Sequence, residues 1–320
     1  MPWTPNNIPD QSGRVALITG ANSGIGLYAA RGLADKGAHV ILACRNKSKA
    51  DKAIRWLHQR VPKASLEFLE LDLSRQQAVH QAADELRRRH SQLDWLINNA
   101  GVMWLERSLT EDKLETQLAT NHFGHFTLTA RLLDLLLPLP DSRVVTVSSL
   151  AHRRGRIYFS DLNLSGSYTR HKAYAQSKVA NLIFAIELQR RLENAGAKTI
   201  SLACHPGISN TNLINPGLIR QSPLRVGALA KLAMPFFSQS PRSGALPTLM
   251  AATANKVEPG GYYGPSWLSE FLGPPGPAYA SRYARNPEIA ERLWALSLEI
   301  TGAHCEALPT WSEVTEATGE

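Results

Sequence analysis

The sequence predicts an α/β protein: a doubly wound parallel sheet with helices on both faces, in a single domain with a C-terminal elaboration. Apolar strand-like runs alternate with helix-length stretches as far as Cys204, an order that calls for parallel strands joined by crossover helices. The runs Val40-Ile41-Leu42-Ala43 and Val144-Val145 are apolar without alternation, which suits strands covered on both faces. A chain of 320 residues buries a sizeable core without staples.

Taken in order, the first strand reads from Val15 to Thr19. It runs into Gly20-Ala21-Asn22-Ser23-Gly24-Ile25-Gly26 and a helix over Ile25 to Lys36, which Gly37 stops as a C-cap. Strand His39 to Cys44 precedes a helix over Lys47 to Arg60, and strand Ser65 to Leu71 a helix over Gln76 to His90. Strand Trp95 to Ile97 leads to a helix over Glu111 to Leu137, strand Arg143 to Ser148 to a helix over Ala173 to Glu193, and a further strand spans Thr199 to Cys204. Beyond residue 207 the rhythm breaks. Pro216, Pro223, Pro235 and Pro241 interrupt it, and an apolar-basic stretch runs from Arg225 through Leu232 to Phe237. Residues 208–245 read as a substrate loop and lid over a lipophilic pocket, with ordinary core packing as the other reading. Pro259 to Pro277, rich in glycine and proline, reads as mainly loop. The domain reading is an arm at 1–12, one domain at 13–303 and a tail at 304–320.

Composition narrows the function classes. Cys44, Cys204 and Cys305 are odd in number and lack metal-ligand spacing, so no metal site is expected and the thiols read as reduced, in a cytoplasmic setting. No basic and apolar leader opens the chain and no apolar run approaches a membrane span. The net charge of +8 is spread over many segments without a zinc or RNA-binding motif, which argues for an anionic cofactor and against nucleic acid. The densest charge, His152-Arg153-Arg154-Gly155-Arg156 and Arg170-His171-Lys172, reads as a solvated face or a pocket rim. Leu224 to Phe237 offers an amphipathic foot for peripheral membrane contact, with Arg225 and Lys231 near lipid phosphates.

Three segments carry chemistry. The glycine turn between a strand and a helix lets backbone N–H groups approach a pyrophosphate at the helix's positive end, so the implied ligand is a dinucleotide. Asn98-Asn99-Ala100-Gly101 follows the fourth strand, and ligands of such sheets gather at the carboxyl ends of the strands. Asp72, ending the third strand, is placed to meet an adenine or to cap the next helix. In Tyr174-Ala175-Gln176-Ser177-Lys178 the phenol and ammonium share a helix face. At ~4 Å and an effective dielectric near 20 their attraction is ~4 kcal/mol, enough to lower a phenol pKa by about 2 to 3. Tyr168 and Lys172 have the same spacing. Tyr168 follows turn-like Ser165-Gly166-Ser167, whereas Tyr174 opens an amphipathic run with Val179, Ile183 and Ile186, which favours the second pair.

The glycine turn, Asn98-Asn99-Ala100-Gly101, Ser148-Ser149, Tyr174 to Lys178 and His205-Pro206-Gly207 together resemble, in this order, the short-chain dehydrogenase/reductase family over residues 12 to 300. Ala43-Cys44-Arg45, Ser149-Leu150-Ala151-His152 and the wide gap from Ser149 to Tyr174 are similar to the retinol dehydrogenase-like branch. Protochlorophyllide reductases share several of these features. Many members place the serine much closer to the tyrosine; the insertion here carries the basic cluster. The resemblance implies a Rossmann-type sheet and a role for each matching residue. Tyr174 would be the acid or base on the substrate oxygen, and Lys178 would hold the nicotinamide ribose. Ser149, second of its pair, would bond the same oxygen. Asn121, in Asn121-His122-Phe123-Gly124, would support a proton relay through water and Lys178, or kink its helix with no catalytic part. Gly20, Asn22, Ser23, Gly24, Ile25, Gly26, Asp72, Asn99, Ala100, Gly101, Pro206 and Gly207 would join Tyr174 and Lys178 around the cofactor.

Arg45 ends the second strand, where an NAD-selective site would put an acid against the ribose 2′-OH. An arginine there pairs with a 2′-phosphate, so the expected cofactor is NADP(H). The expected activity is hydride transfer between NADP(H) and a lipophilic carbonyl or alcohol of the retinol/retinal class, in the reducing direction. A protochlorophyllide-reductase-like enzyme and a nonenzymatic NADP(H)-binding regulator are the alternatives. Relatives are commonly dimers or tetramers, so a homodimer or homotetramer stays open.

Overall fold

The computed structural model describes residues 2–208, 239–305 and 308. Eight strands form one sheet: β1 (Val15–Thr19), β2 (His39–Cys44), β3 (Ser65–Glu70), β4 (Trp95–Asn98), β5 (Arg143–Val147), β6 (Ile200–Cys204), β7 (Tyr262–Trp267) and β8 (Leu272–Pro277). Their spatial order is β3-β2-β1-β4-β5-β6-β7-β8. Pairing is parallel from β3 to β7, and β8 runs antiparallel to β7, so the expected all-parallel sheet gains one reversed edge strand. Strand order reverses between β1 and β4, which opens a crevice at their carboxyl ends.

The helices are α1 (Gly24–Ala34), α2 (Lys47–His58), α3 (Gln76–Arg89), α4 (Thr116–Leu118), α5 (Gly124–Leu136), α6 (Arg170–Asn194), α7 (Pro241–Gly244), α8 (Leu246–Thr253) and α9 (Pro287–Thr301). Side chains of a strand alternate between faces, and here each set finds its own layer. Ala16, Ile18, Val40 and Leu42 pack with Ile25, Ala29 and Leu33 of α1, Leu57 of α2 and Leu249 of α8. Leu17 and Ile41 pack on the other face with Val79 and Leu86 of α3 and Leu128 and Leu132 of α5. Among the described residues, no helix is long and apolar enough to cross a membrane.

Three expectations change. The long helix begins at Thr116 rather than Glu111 and passes through a π-turn, Ala119–Phe123, before α5. Pro259 to Pro277 is not mainly loop, because it builds the hairpin β7–β8. Its prolines are tolerated by position. Pro265 lies past the end of β6, which pairs with β7 only at Tyr262 and Tyr263, while Pro274, Pro275 and Pro277 lie on an edge strand that needs no outer ladder donors. The third change concerns α6, which starts at Arg170 and is buried round its circumference rather than on one apolar stripe, so Gln176, Ser177, Lys178 and Asn181 are buried alongside Val179 and Ile183. Of the lid expected at 208–245, residues 209–238 lie outside the described residues, as does the apolar-basic stretch Leu224 to Phe237. The described end forms α7, with Gln239 bonding back to Ile208 O at 2.6 Å.

Candidate active site

The carboxyl ends of β1, β2, β4, β5 and β6 bring the expected site residues together. Gly20 leaves β1 with φ +67°, and a Cβ there would sit 3.0 Å from Ala100. At Gly26 a Cβ would meet Asn99 Nδ2 at 2.5 Å and Gly20 O at 2.7 Å. The turn is thus folded tightly onto the segment that follows β4, and side chains at these positions have no room. Gly24 begins α1 with φ +56°. Ser23 is the N-cap of α1, yet its side chain caps no helix amide, so it does not cover the helix's positive end. Asn22 and Ser23 lie in this same turn, and Ile25 is the second residue of α1.

The junction beneath the turn is made by residues the sequence reading missed. Thr19 Oγ1 accepts from the Asn99 and Ala100 amides at 2.9 Å each, and Asn99 Nδ2 donates to Thr19 O at 2.7 Å. Thr19 Oγ1 also lies 2.9 Å from His125 Nε2, while His125 Nδ1 donates to Asn121 O at 2.9 Å. The ring therefore carries its proton on Nδ1 and accepts the threonine hydroxyl on Nε2. Burial holds His125 at about 4, so it stays neutral. Its place one helical turn after Asn121 was the available signal. Cys44 is a second missed anchor: the Asn22 and Ala21 amides point at its sulfur, and burial pushes the thiol up to about 11.

Asn121 sits inside the π-turn. Its side chain donates to Val102 O at 3.0 Å and Ser177 Oγ at 2.8 Å and accepts from Val102 N at 2.8 Å. The kink is visible here, and Gly101 lies between Asn121 and Lys178. A Cβ on Gly101 would lie 3.2 Å from Asn121 Oδ1 and 3.4 Å from Lys178 Nζ.

Lys178 and Tyr174 lie on one face of α6, with Lys178 Nζ 5.9 Å from the Tyr174 ring centroid. Lys178 Nζ donates to Val147 O at 3.0 Å, and burial lowers it to about 8. Burial raises the Tyr174 phenol above its ordinary value, with a hydrogen bond from Ser149 pulling the other way. The expected lowering of the phenol by the lysine is not found. Burial acts on both groups, raising the phenol and lowering the ammonium. Near neutral pH this arrangement holds a protonated phenol beside an ammonium.

Of the serine pair, Ser148 is committed elsewhere: it is buried and its hydroxyl donates to Lys178 O at 2.7 Å. Ser149 is partly open, caps the short 3₁₀ turn Leu150–Arg154 through Ala151 N, and stands beside the Tyr174 phenol. Gly207 has φ +66°, and a Cβ there would lie 2.3 Å from Phe271 O, so Pro206-Gly207 is wedged against the β7–β8 hairpin. His205 is tied to that hairpin through Glu270 Oε2 at 3.1 Å, and Arg153 reaches the same oxygen at 2.8 Å.

Arg45 extends from the end of β2 with its side chain 75% exposed, 4.0 Å from Asp72. So exposed a pair contributes little, which leaves the guanidinium available. Asp72 is not the cap of α3, whose N-cap is Arg75. Its Oδ1 instead accepts from the Ser74 amide at 3.0 Å and hydroxyl at 2.7 Å. The site's residues fit a dinucleotide: the turn excludes side chains, the end of α1 faces outward, and the arginine stands a strand away.

Comparison with known proteins agrees with this geometry. Residues 14–217 match the short chain dehydrogenase family. Human retinol dehydrogenase 12 is 39% identical over 294 residues, covering 92% of this chain and 88% of that protein. A crystal structure of an uncharacterized protein from Mycobacterium paratuberculosis is 40% identical with a TM-score of 0.79, covering 95% of this chain and 99% of the other. A short chain dehydrogenase from Shigella flexneri, complexed with NADP, has a TM-score of 0.59 at 23% identity over 76% of this chain and 92% of its own, a likeness of fold.

Proposed function

Because the chain belongs to the short-chain dehydrogenase/reductase family and is thereby a nicotinamide-dependent oxidoreductase acting on CH–OH/C=O groups, we propose that it is an NADP(H)-dependent reductase of lipophilic carbonyls, with Tyr174 as general acid. The observation that carries the reading is the Tyr174–Lys178–Ser149 grouping beside Gly101, with Arg45 at the far end of the crevice.

Arg45 would hold the 2′-phosphate by charge-assisted hydrogen bonds, the amino end of α1 would face the pyrophosphate, and Lys178 would hold the nicotinamide ribose. When bound, the cofactor supplies hydride chemistry at the carbonyl carbon. Ser149 hydrogen-bonds the substrate oxygen and fixes it beside the phenol. Tyr174, kept protonated by burial, donates its proton to that oxygen as negative charge develops. The Lys178 ammonium then favours the phenolate left behind. Asn121 keeps Val102 and the π-turn in place beside Lys178, and its carbonyl belongs to His125.

A lipophilic substrate is supported by the likeness to retinol dehydrogenases. The test is a spectrophotometric screen of NADPH and NADH oxidation against aldehydes and ketones graded by chain length and ring content. We expect turnover with NADPH that rises with apolar chain length. Preference for NADH, or turnover confined to small polar carbonyls, would overturn the reading.

A further inference from the structure

The tyrosine of the other equally spaced Tyr–Lys pair, Tyr168, precedes the helix and is occupied at several points. Its hydroxyl donates to Leu105 O at 2.8 Å, accepts from Gln117 Nε2 at 3.0 Å and lies 3.4 Å from Glu115 Oε1. Burial first, and the Glu115 carboxylate second, push the phenol up to about 12, so it remains a donor. Gln117, fully buried, continues the connection: its Oε1 accepts from Trp104 N at 2.8 Å and its Nε2 also donates to Arg170 O at 3.3 Å. Arg170 is ion-paired with Glu106. Residues 102–106, which leave the site at Gly101, are therefore tied to the start of α6 by Tyr168, Gln117 and Arg170.

Those ties hold a bulky residue in a costly conformation. Trp104 has φ +58°, a left-handed backbone that is strained outside glycine and persists only where surroundings impose it. Its ring meets His171 edge-on, centroids 4.7 Å apart. His171 and Tyr174 are three apart on α6 and share a face. The strained indole thus stands one helical turn beyond the proton donor, on the side away from Lys178.

We propose that Tyr168 is a positioning residue that latches residues 102–106 to α6, so that Trp104, braced edge-on by the exposed His171, presents an apolar wall that selects long carbonyl substrates beside Tyr174. The wall rests on the carbonyl-reductase reading; the latch does not. Tyr168→Phe keeps the ring and removes both the donation to Leu105 O and the acceptor for Gln117 Nε2.

Amide hydrogen exchange on the ligand-free full chain reads the latch without turnover. Exchange across residues 102–106 should be about fivefold faster in Tyr168→Phe, with β5 unchanged. Unchanged exchange there overturns the latch. Steady-state kinetics with NADPH reads the wall. With decanal, KM should rise about fivefold in Tyr168→Phe and about tenfold in Trp104→Ala, with kcat falling less than about twofold. With propanal, whose chain offers little apolar surface to an indole, KM should move less than about twofold. Equal losses with both aldehydes, or a fall in kcat matching the rise in KM, overturn the wall. Absence of NADPH oxidation by wild type with either aldehyde sinks the carbonyl reading and the wall with it, while the exchange result still decides the latch.

Discussion

Tyr168 with Lys172 and Tyr174 with Lys178 have the same spacing six residues apart, but only the second pair lies wholly within α6. Thr169 caps α6, its hydroxyl accepting from Lys172 N at 3.1 Å, so Tyr168 lies outside the helix and does not share a face with Lys172. Lys172 turns outward, 2.5 Å from Ser167 Oγ and 4.0 Å from the Tyr158 ring centroid. Tyr168 turns inward and spends its hydroxyl on Leu105 and Gln117. Tyr174 and Lys178 are both within the helix, and Gly101 leaves space in front of them. Position relative to the cap, rather than spacing, separates the pair proposed to react from the one committed to structure.

The sharpest way to break this comparison is to remove one hydroxyl. Tyr174→Phe should fold and bind NADPH while losing the proton donor, a loss of about 10²- to 10⁴-fold in kcat. Stopped-flow measurement of NADPH oxidation, with cofactor binding followed by fluorescence, checks both halves. Normal turnover in this variant would make Tyr174 a bystander and move the chemistry elsewhere in the crevice.

How much of this was readable beforehand depended on whether the information was local. The strands β1 and β2 were legible end to end because Val15 to Thr19 and His39 to Cys44 are apolar runs bounded by turn residues. The glycine turn was legible because its spacing lies within seven residues between a strand and a helix, although the contacts that demand glycine come partly from Asn99 and Ala100 after β4. The β7–β8 hairpin was not: its proline content argues against strand, and only its place at the sheet edge removes that objection. Nor was the task of Tyr168, whose partners Gln117 and Leu105 lie 51 and 63 residues away in sequence. The sign of the Tyr174 shift was missed for a related reason. Spacing reports that a lysine is near, but not that both groups are buried.

A second variant separates capture of the cofactor from the chemistry of the Tyr–Lys pair. Arg45 is exposed at the end of β2, remote in sequence from α6, and its proposed partner is a 2′-phosphate. Arg45→Asp should shift preference from NADPH toward NADH by about 10- to 100-fold in Kd, since a charged hydrogen-bonding partner is exchanged for an acceptor suited to a free hydroxyl. At saturating cofactor, kcat should change far less than in Tyr174→Phe. Titration calorimetry with both cofactors measures this; an unchanged NADPH/NADH ratio would remove Arg45 from the site.

The smallest expected effect compares the two lysines by pH. Burial holds Lys178 at about 8 in the cofactor-free protein, so it is an ammonium below that pH and an amine above it. If ribose hydroxyls favour the ammonium, binding takes up a proton above pH 8, and NADPH affinity must fall as pH rises. With one proton linked, the fall is at most about tenfold between pH 7 and 9. Lys178→Ala should weaken binding at pH 7 and flatten the profile. Lys172→Ala should leave the slope as it is, because that lysine is engaged with Ser167 and Tyr158 at the surface. Fluorescence titration of NADPH at half-unit pH steps distinguishes the three proteins. A wild-type profile that is flat through pH 8 would mean that Lys178 holds its ligand as a neutral donor, and the two lysines would then differ in location but not in charge.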